Sequence, residues 1–378
     1  MTSEIANRRF WRFLLRTLLA AALALGLVVG VNYGVDACHI ITSRSMKQMA
    51  SLVLAGNAVA VPENYNERIY QMALLDGMRS PPETAVVGSS RGMLLGREIT
   101  GFPDLFNHCI AGACLEDCYA VLGLYRQRFG AYPRRVILEV SPWLLYGLNP
   151  EVRWTELWSY RLAAQNLYVR LNRRNPEIRN TEWTAFGSEG KPFYTRENPW
   201  FSLSYFQYNA FTIRQKGLAA FRDEDARPST DPAEAAELPD GTLRYARSSP
   251  EERAETLARV RAAAGPVTYE DVQKMTEIDP EKGEALEALV RDLLADGAEV
   301  ILYLAPFSET QSRLSFDDQL NPAFDLVEDF VHELAGGCGV PVVGSYDARE
   351  YGLGDEVFLD NLHLNAEGNA VVWRTDWR

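Results

Sequence analysis

Ser90 is the first residue whose type and position suit it to chemistry. The stretch 84–90, TAVVGSS, is a short apolar run that ends in Gly88, Ser89 and Ser90. This pattern predicts a strand followed by a tight turn. A serine just past a strand exposes its Oγ at the carboxyl edge of an open α/β sheet, where such sheets bind ligands. The N–H groups that open the following helix are suited to an oxyanion. Ser90 is therefore a candidate nucleophile, although short Gly-Ser turns are also common structural features.

A candidate base for that serine lies near the other end of the chain. The stretch 357–372, VFLDNLHLNAEGNAVV, holds Asp360 and His363 just before a predicted helix start at Asn365. A carboxylate at this spacing can hydrogen-bond Nδ1 of the imidazole and leave Nε2 to take a proton from a serine. The alternative is a surface histidine beside an aspartate. Among the other histidines, His108 is the competitor, because it borders the loop after the second predicted strand.

The elements around these residues alternate. Apolar β-branched runs predict strands, and apolar residues at helical spacing that end in glycine predict helices. The predicted strands are 84–90, 105–112, 134–142, 298–306 and 340–347, and the predicted helices are 115–130, 281–297 and 323–339. Strands that alternate with helices imply βαβ crossovers and a mostly parallel sheet covered on both faces. The fold class predicted is therefore α/β.

The motifs and their order resemble those of the SGNH (GDSL-like) hydrolase superfamily. The first block of that superfamily, G-x-S after the first strand, is matched by residues 88–90. The second block carries a glycine whose N–H helps to form the oxyanion hole, and Gly112 in FNHCIAGA occupies that place. The last block, D-x-x-H, is matched by Asp360 and His363.

The resemblance implies a fold and a set of roles. The expected fold is a three-layer α/β/α arrangement with a mostly parallel, flavodoxin-like sheet. The expected chemistry is acyl transfer through a serine ester, with Ser90 as nucleophile, His363 as general base and then acid, and Asp360 orienting His363. The backbone N–H groups of Ser90 and Gly112 are the expected oxyanion donors. No metal or organic cofactor is implied.

The resemblance covers about 84–142 and 298–370, and it departs from the family pattern in the third block. That block supplies an asparagine, often as G-x-N-D, whereas here the third strand runs into EVSPWLLYG. Asn149 lies too far along the chain to be the expected replacement. One oxyanion donor is therefore missing or comes from elsewhere, and a missing donor costs on the order of 3 kcal/mol of transition-state stabilisation.

Three features together are similar to one branch of the superfamily. They are GSS in place of GDS, a membrane segment and the absent third-block asparagine. They are similar to the membrane-anchored proteins of cell-envelope polymer modification, including the D-alanyl transfer and alginate O-acetylation proteins. This likeness implies an acylated polysaccharide or acyl donor as substrate and a membrane-bound O-acyltransferase as partner. Plain ester hydrolysis is the second choice. An inactive SGNH-like scaffold that binds glycan or the acyltransferase is the alternative from another functional class.

A second enzyme family shares part of this pattern. Residues 88–92, GSSRG, also fit G-x-S-x-G, the nucleophile elbow of α/β-hydrolases. In that family the serine follows several strands, and the acid and histidine come from separate loops. Here only the N-terminal segment precedes the serine, and one D-x-x-H unit carries both partners. The SGNH-like interpretation is therefore preferred.

The N-terminus predicts a membrane anchor. Arg8, Arg9, Arg12 and Arg16 precede an uncharged run over 17–35, which as a helix spans about 28 Å, close to one bilayer core. The positive-inside rule keeps the N-terminus in the cytoplasm. The expected location is the inner membrane, single-pass, with the main domain periplasmic or extracellular. A cleaved signal peptide, a lipoprotein processed before Cys38 and a buried core helix are the alternatives.

Composition and length bound the remaining possibilities. The chain has 378 residues and a net charge of −13, which argues against a nucleic-acid partner. The predicted organisation is an anchor over 1–37, a helical stalk over 38–80 and an SGNH-like domain over 81–378, with an insertion at about 145–280. Tryptophans of the insertion are candidates for sugar stacking, with a core role as the alternative: Trp154, Trp158 and Trp183. Three clustered cysteines are interpreted as small buried residues, with a disulfide as the alternative: Cys109, Cys114 and Cys118.

Overall fold

The computed structural model describes residues 2–37, 41–62, 65–155, 157–174, 199–221, 226–246 and 249–377. The helices are α1 (Thr2–Val35), α2 (Arg44–Leu54), α3 (Glu67–Gly77), α4 (Arg97–Thr100), α5 (Leu115–Phe129), α6 (Trp158–Arg174), α7 (Leu203–Lys216), α8 (Pro250–Ala263), α9 (Pro280–Ala295), α10 (Glu309–Phe316), α11 (Ala323–Cys338) and α12 (Ala366–Asp376). The strands are β1 (Val59–Ala60), β2 (Thr84–Val87), β3 (Leu105–Asn107), β4 (Arg135–Glu139), β5 (Ala236–Glu237), β6 (Leu243–Arg244), β7 (Glu299–Leu304) and β8 (Val342–Gly344).

Five of the strands form one sheet in the order β3-β2-β4-β7-β8, and each neighbouring pair is parallel. In this register Val86 lies beside Ile137, and Leu138 lies beside Leu302. Short aliphatic and β-branched runs of this kind are typical of a parallel sheet that is buried on both faces. The predicted α/β class with a mostly parallel sheet is confirmed.

Each face of the sheet has its own apolar cluster, because successive side chains of a strand point to opposite faces. Val136 and Leu138 of β4 belong to a large cluster with residues of α5, α9 and α11. Ile137 belongs to a second cluster, which includes Val372 and Trp373 of α12. The parallel register also brings the carboxyl ends of the strands to one edge, where the loops after β2, β3 and β4 begin.

Among the described residues, one helix is long and apolar enough to cross a membrane, over Asn7–Val35 within α1. The end of α1 is tied into the folded protein. Asn32 is fully buried, and its amide donates hydrogen bonds to three backbone carbonyls within residues 199–202. Asp36 accepts a hydrogen bond from the Tyr205 hydroxyl at 2.6 Å.

The segment 38–80, predicted as a stalk, contributes α2 and α3 in its described part. These two helices pack against each other. Their buried residues, among them Met46, Met49 and Tyr70, belong to the same apolar cluster as Val136 of β4. Both helices are thus part of the main body of the protein.

Parts of the insertion at 145–280 pack closely on the rest of the chain. Helix α6 lies along α5, and the two backbones approach so closely that a Cβ on Gly123 would collide with the carbonyl of Ala163. Helix α7 packs against α1. Strands β5 and β6 join β1 in a small antiparallel sheet. Trp154 is buried, Trp158 is exposed, and Trp183 lies outside the described residues.

The three clustered cysteines are free thiols. Cys109, Cys114 and Cys118 are all buried, and burial raises the pKa of each thiol well above its ordinary value. A thiol with a raised pKa stays protonated and is a poor nucleophile or ligand. The interpretation of these cysteines as small buried residues is confirmed.

Candidate active site

Three side chains from distant parts of the sequence meet at one point. Ser90 Oγ lies 2.7 Å from His363 Nε2. On the other side of the ring, His363 Nδ1 lies 2.9 and 2.8 Å from the two carboxylate oxygens of Asp360. This continuous hydrogen-bonded chain is the arrangement in which an imidazole, held by a carboxylate, can take a proton from a serine.

The turn after β2 presents Ser90 because Ser89 is held in the interior. Ser89 is fully buried, its Oγ accepts a hydrogen bond from the N–H of Arg91 at 3.3 Å, and it lies 3.0 Å from Ser141 Oγ. Ser89 therefore caps the short 3-10 turn Ser90–Gly92 and faces the sheet. With Ser89 fixed inward, Ser90 is free to point toward His363.

Glu139, at the end of β4, hydrogen-bonds the turn that carries Ser89 and Ser90. The carboxylate is fully buried and accepts a hydrogen bond from the backbone N–H of Ser89 at 2.7 Å. Its other oxygen accepts from the hydroxyl of Ser141. Glu139 was not among the residues predicted for the site, and the available signal was a carboxylate directly after the apolar run 136–138.

Gly88 has no room for a side chain, because the turn passes close to Glu139 at the end of β4. Its φ is +156°, and a Cβ there would lie 2.5 Å from Cβ of Glu139. We expect Gly88→Ala to lower the free energy of unfolding by about 2 kcal/mol or more, because overpacking and strain add.

The matched control for Gly88→Ala is Gly336→Ala in α11, where nothing lies within 4 Å of an added Cβ. This change should raise the free energy of unfolding by roughly 0.5–1 kcal/mol, through higher helix propensity. Urea denaturation of both variants measures the difference. Equal stabilities would show that the backbone at Gly88 relaxes without cost.

The loop that carries Asp360 and His363 is closed by its own hydrogen bonds. Asp360 Oδ1 accepts from the backbone N–H groups of Leu362 and His363 at 2.7 and 2.8 Å. Asn365 then caps the first turn of α12 through Gly368 N–H. Burial alone would raise the pKa of Asp360, but the hydrogen bonds from His363 and the backbone outweigh it and lower the pKa below its ordinary value. The carboxylate is therefore charged where it faces the imidazole.

Arg91 connects this loop to the serine turn. The side chain is buried, and its Nε donates to the carbonyl of Leu362 at 3.2 Å. Nη2 donates to the carbonyl of Ala305 after β7, and the guanidinium lies 3.7 Å from the ring centre of Phe307. One buried cation thus links three loops at the carboxyl edge of the sheet.

His108, the competing histidine, is excluded as the base for Ser90 by its contacts. It is fully buried, with Nδ1 2.6 Å from Gln71 Oε1 and Nε2 2.6 Å from the Tyr125 hydroxyl. Burial lowers the pKa of His108 to about 3. Both ring nitrogens are engaged in the interior.

Gly112 lies in the loop next to the serine turn. The N–H of Ile110 donates to the carbonyl of Gly88 at 3.0 Å, and Ile110 forms a parallel bridge with Ser89. Gly112 follows two residues later with a φ of +64°. Its N–H makes no hydrogen bond to another residue in the described part of the chain, so this donor is available to a ligand.

Asn149 does not replace the missing third-block asparagine. Its Nδ2 donates to the carbonyl of Trp143 at 2.9 Å, and its Oδ1 accepts from the N–H of Glu151 at 2.9 Å. Two other side chains from the insertion contact Gly112 instead. A Cβ on Gly112 would collide with Arg153 Nη2 and lie 2.7 Å from the Tyr269 hydroxyl. Neither residue was identified from the sequence, because nothing local relates them to the serine turn.

Two buried carboxyl groups near the loop after β3 have raised pKa values. Glu67 accepts a hydrogen bond from the N–H of Ala111 at 2.5 Å, and burial raises the pKa of Glu67 to about 7. Burial raises the pKa of Glu237 to about 8, and one of its oxygens accepts from the Tyr65 hydroxyl at 2.9 Å. Burial, followed by the charges of Asp360 and Glu67, raises the pKa of Tyr245 to about 12.

These two buried acids contribute stability that is lost as the pH rises. A carboxyl whose pKa is raised on folding binds a proton more tightly in the folded state, so its contribution is full below its ordinary pKa of 4.5 and is lost through the folded-state pKa, about 7 for Glu67 and about 8 for Glu237. We expect Glu237→Gln to raise the free energy of unfolding at pH 9 by on the order of 2 kcal/mol and to change it little at pH 5. Urea denaturation at the two pH values measures this.

Glu333→Gln is the control for Glu237→Gln, because Glu333 lies exposed on α11. Its denaturation midpoint should follow that of the unmodified protein at both pH values. If Glu237→Gln also followed the unmodified protein at pH 9, Glu237 would not carry a raised pKa in the folded state.

In the described part of the chain, no group of three or more His, Cys, Asp or Glu side chains is arranged to hold a metal ion. The chain matches no protein-family model, and a search of the curated proteins finds no relative.

Proposed function

We propose that this protein is a membrane-anchored, extracytoplasmic serine acyltransferase or esterase of the SGNH type. Its substrates would be acyl esters of cell-envelope polysaccharide. The observation that carries the proposal is the hydrogen-bonded chain from Ser90 through His363 to Asp360. His363 is partly exposed, with 22% of its side chain accessible, whereas the structural His108 is fully buried and hydrogen-bonded to interior side chains.

The proposed reaction has two steps. Ser90 Oγ attacks the acyl carbonyl while His363 Nε2 removes its proton, and the oxyanion accepts hydrogen bonds from the N–H groups of Ser90 and Gly112. His363 then protonates the leaving oxygen, which departs as an alcohol and leaves the acyl group on Ser90. In the second step His363 deprotonates water or a sugar hydroxyl, which attacks the ester carbonyl. The bond between the acyl carbon and Ser90 Oγ then breaks, and His363 returns the proton to Oγ as the free acid or the new sugar ester leaves.

The strand order supports the SGNH-like part of the proposal. Counted within the five-stranded sheet alone, the order is second, first, third, fourth, fifth, as in flavodoxin-like folds. The apolar clusters on the two faces suit a three-layer arrangement over residues 81–378. Ser90 follows the first strand of this sheet, whereas an α/β-hydrolase elbow would follow several.

Transfer to a sugar hydroxyl is preferred over hydrolysis because the surroundings of the site are polar. Arg153 is half-exposed beside Gly112. The carboxyl group of Glu67 accepts a hydrogen bond from the N–H of Ala111, the residue before Gly112. Such groups suit a hydroxyl-rich acceptor. A membrane-bound O-acyltransferase is the proposed partner that supplies the acyl group.

The proposed location is the inner membrane, with the N-terminus inside. The contacts at the end of α1 support a retained anchor over a cleaved signal peptide. Cleavage near residue 37 would separate Asn32 and Asp36 from their hydrogen-bond partners in residues 199–205. Buried polar groups that lose their partners cost about 1–3 kcal/mol each.

A fluorophosphonate probe tests the proposal, because it labels only serines activated by a base. The full-length protein should be labelled, and Ser90→Ala and His363→Ala should each abolish labelling. The controls are Ser51→Ala and His332→Ala, which remove an exposed serine and an exposed histidine. Labelling that survives in Ser90→Ala would refute the assignment of the nucleophile.

An inactive scaffold that binds glycan or the acyltransferase is the second candidate. It is favoured by the absent third-block asparagine and by the use of Asn149 within its own loop. A scaffold would show no labelling in the unmodified protein, and Ser90→Ala would leave polysaccharide acylation in cells unchanged.

A further inference from the structure

An apolar surface lies on α7 and the turns that flank it. This surface, here called the α7 patch, consists of Phe201, Leu203, Phe211, Leu218 and Phe221. Each of these side chains is exposed, from 44% for Phe221 to 85% for Leu218. Five large apolar side chains left exposed within residues 201–221 are more typical of an interaction surface than of a solvated face.

The α7 patch adjoins the point where α1 ends. Tyr33 stacks on Trp200, with ring centres 5.2 Å apart, and the ring of Phe221 lies against Gly34. The side chain of Asn209 in α7 donates a hydrogen bond to Asn32 and accepts one from the N–H of Ala37. These contacts fix α7 at the level where α1 would leave the bilayer.

Basic residues border the same region, although the chain as a whole carries a net charge of −13. A cavity of about 620 Å³ at the end of α1 is lined by Tyr33, Asp36, Arg44, Lys47 and Phe221, among others. The carboxylate of Asp36 accepts hydrogen bonds from the backbone N–H groups of Ile41 and Thr42 and from the Tyr205 hydroxyl. Arg44 and Lys47 are exposed and form no ion pair with a described residue. Two uncompensated cations beside an apolar patch suit the phosphate groups of anionic lipids.

We infer that the α7 patch lies in the outer interface of a phospholipid bilayer, with Arg44 and Lys47 directed at anionic headgroups. The inference rests on the proposed role of α1 as a membrane anchor. Phenylalanine and leucine with basic residues at their edge are the composition of interfacial helices. The patch would thus fix the orientation of the main domain relative to the membrane, beyond the tethering that α1 provides.

Spin labels in the full-length protein test this inference. The protein is reconstituted in nanodiscs of phosphatidylcholine and phosphatidylglycerol, with Cys38 and Cys338 replaced by serine. Labels at Phe211→Cys and Leu218→Cys probe the patch. Val371→Cys is the exposed control on α12, and Leu23→Cys reports on α1. Dissolved oxygen should collide with the labels at 211, 218 and 23 more often than a water-soluble nickel complex does. At position 371 the nickel complex should collide with the label more often than oxygen does.

Each other outcome overturns the inference in a distinct way. Labels at 211 and 218 that behave like the label at 371 would place the patch in water, even with the label at 23 in lipid. Labels shielded from both reagents would indicate a protein contact in place of lipid. A label at 23 that the nickel complex reaches would refute the anchor itself, whereas the serine chemistry would still be judged by the probe.

Discussion

Ser90→Ala and His363→Ala should each lower kcat/KM for p-nitrophenyl acetate by at least about 10³-fold, and the double variant should lose no more than either one. The 2.7 Å contact between Ser90 Oγ and His363 Nε2 is the reason. Without the base the serine is a poor nucleophile, and without the serine the base has no proton to take. Initial rates for the three variants and the unmodified protein provide the measurement.

Ser51→Ala and His332→Ala should keep the rate of the unmodified protein, since both residues are exposed and lie outside the site. Losses that multiply in the double variant would contradict a joint role. The serine and the histidine would then contribute independently, as they would if His363 only bound the substrate.

The positions of the main strands could be predicted because each carries its own local signal. The apolar run 84–90 became β2, and the run 298–306 became β7. Asn365 was expected to start a helix, and it caps α12. Such features depend on residues within a few positions of one another, so one sequence is enough to recognise them.

The support beneath the serine could not be predicted, because it depends on how strands pair. Glu139 reaches Ser89 only because β4 lies beside β2 in a register that pairs Val87 with Leu138. Nothing in the sequence states that register. Arg153 and Tyr269 reach Gly112 from the insertion, for which no family pattern gave a guide.

Arg153 and Tyr269 lie where the absent third-block asparagine of the SGNH pattern would be needed, close to Gly112. The third-block asparagine would donate to the oxyanion from a neutral amide. Arg153 and Tyr269 instead bring a cation and a hydroxyl to Gly112, and Arg153 is already paired with Glu151 at 2.7 Å. A donor shared with a carboxylate is weaker for an oxyanion, which supports the transfer to a particular acceptor that we propose over fast hydrolysis.

Asp360→Asn should lower kcat for p-nitrophenyl acetate by about 10³- to 10⁴-fold and leave KM nearly unchanged. The asparagine keeps Oδ1, so it can still accept from the N–H groups of Leu362 and His363, which hold the loop at 2.7 and 2.8 Å. Its amide, however, can donate to Nδ1 of His363. That would favour the tautomer with the proton on Nε2, which cannot accept the proton of Ser90, and no negative charge would remain to stabilise the imidazolium.

The control for this change is Asp329→Asn on α11, where the carboxylate is exposed and far from the loop in sequence. It should leave both kinetic constants unchanged. Because Asp360→Asn retains the acceptor that closes the loop, a large loss of kcat with an unchanged melting temperature would assign the effect to the charge and the tautomer. A loss below about twofold would instead make Asp360 a loop cap, and the proposed mechanism would then have to proceed without a carboxylate behind His363.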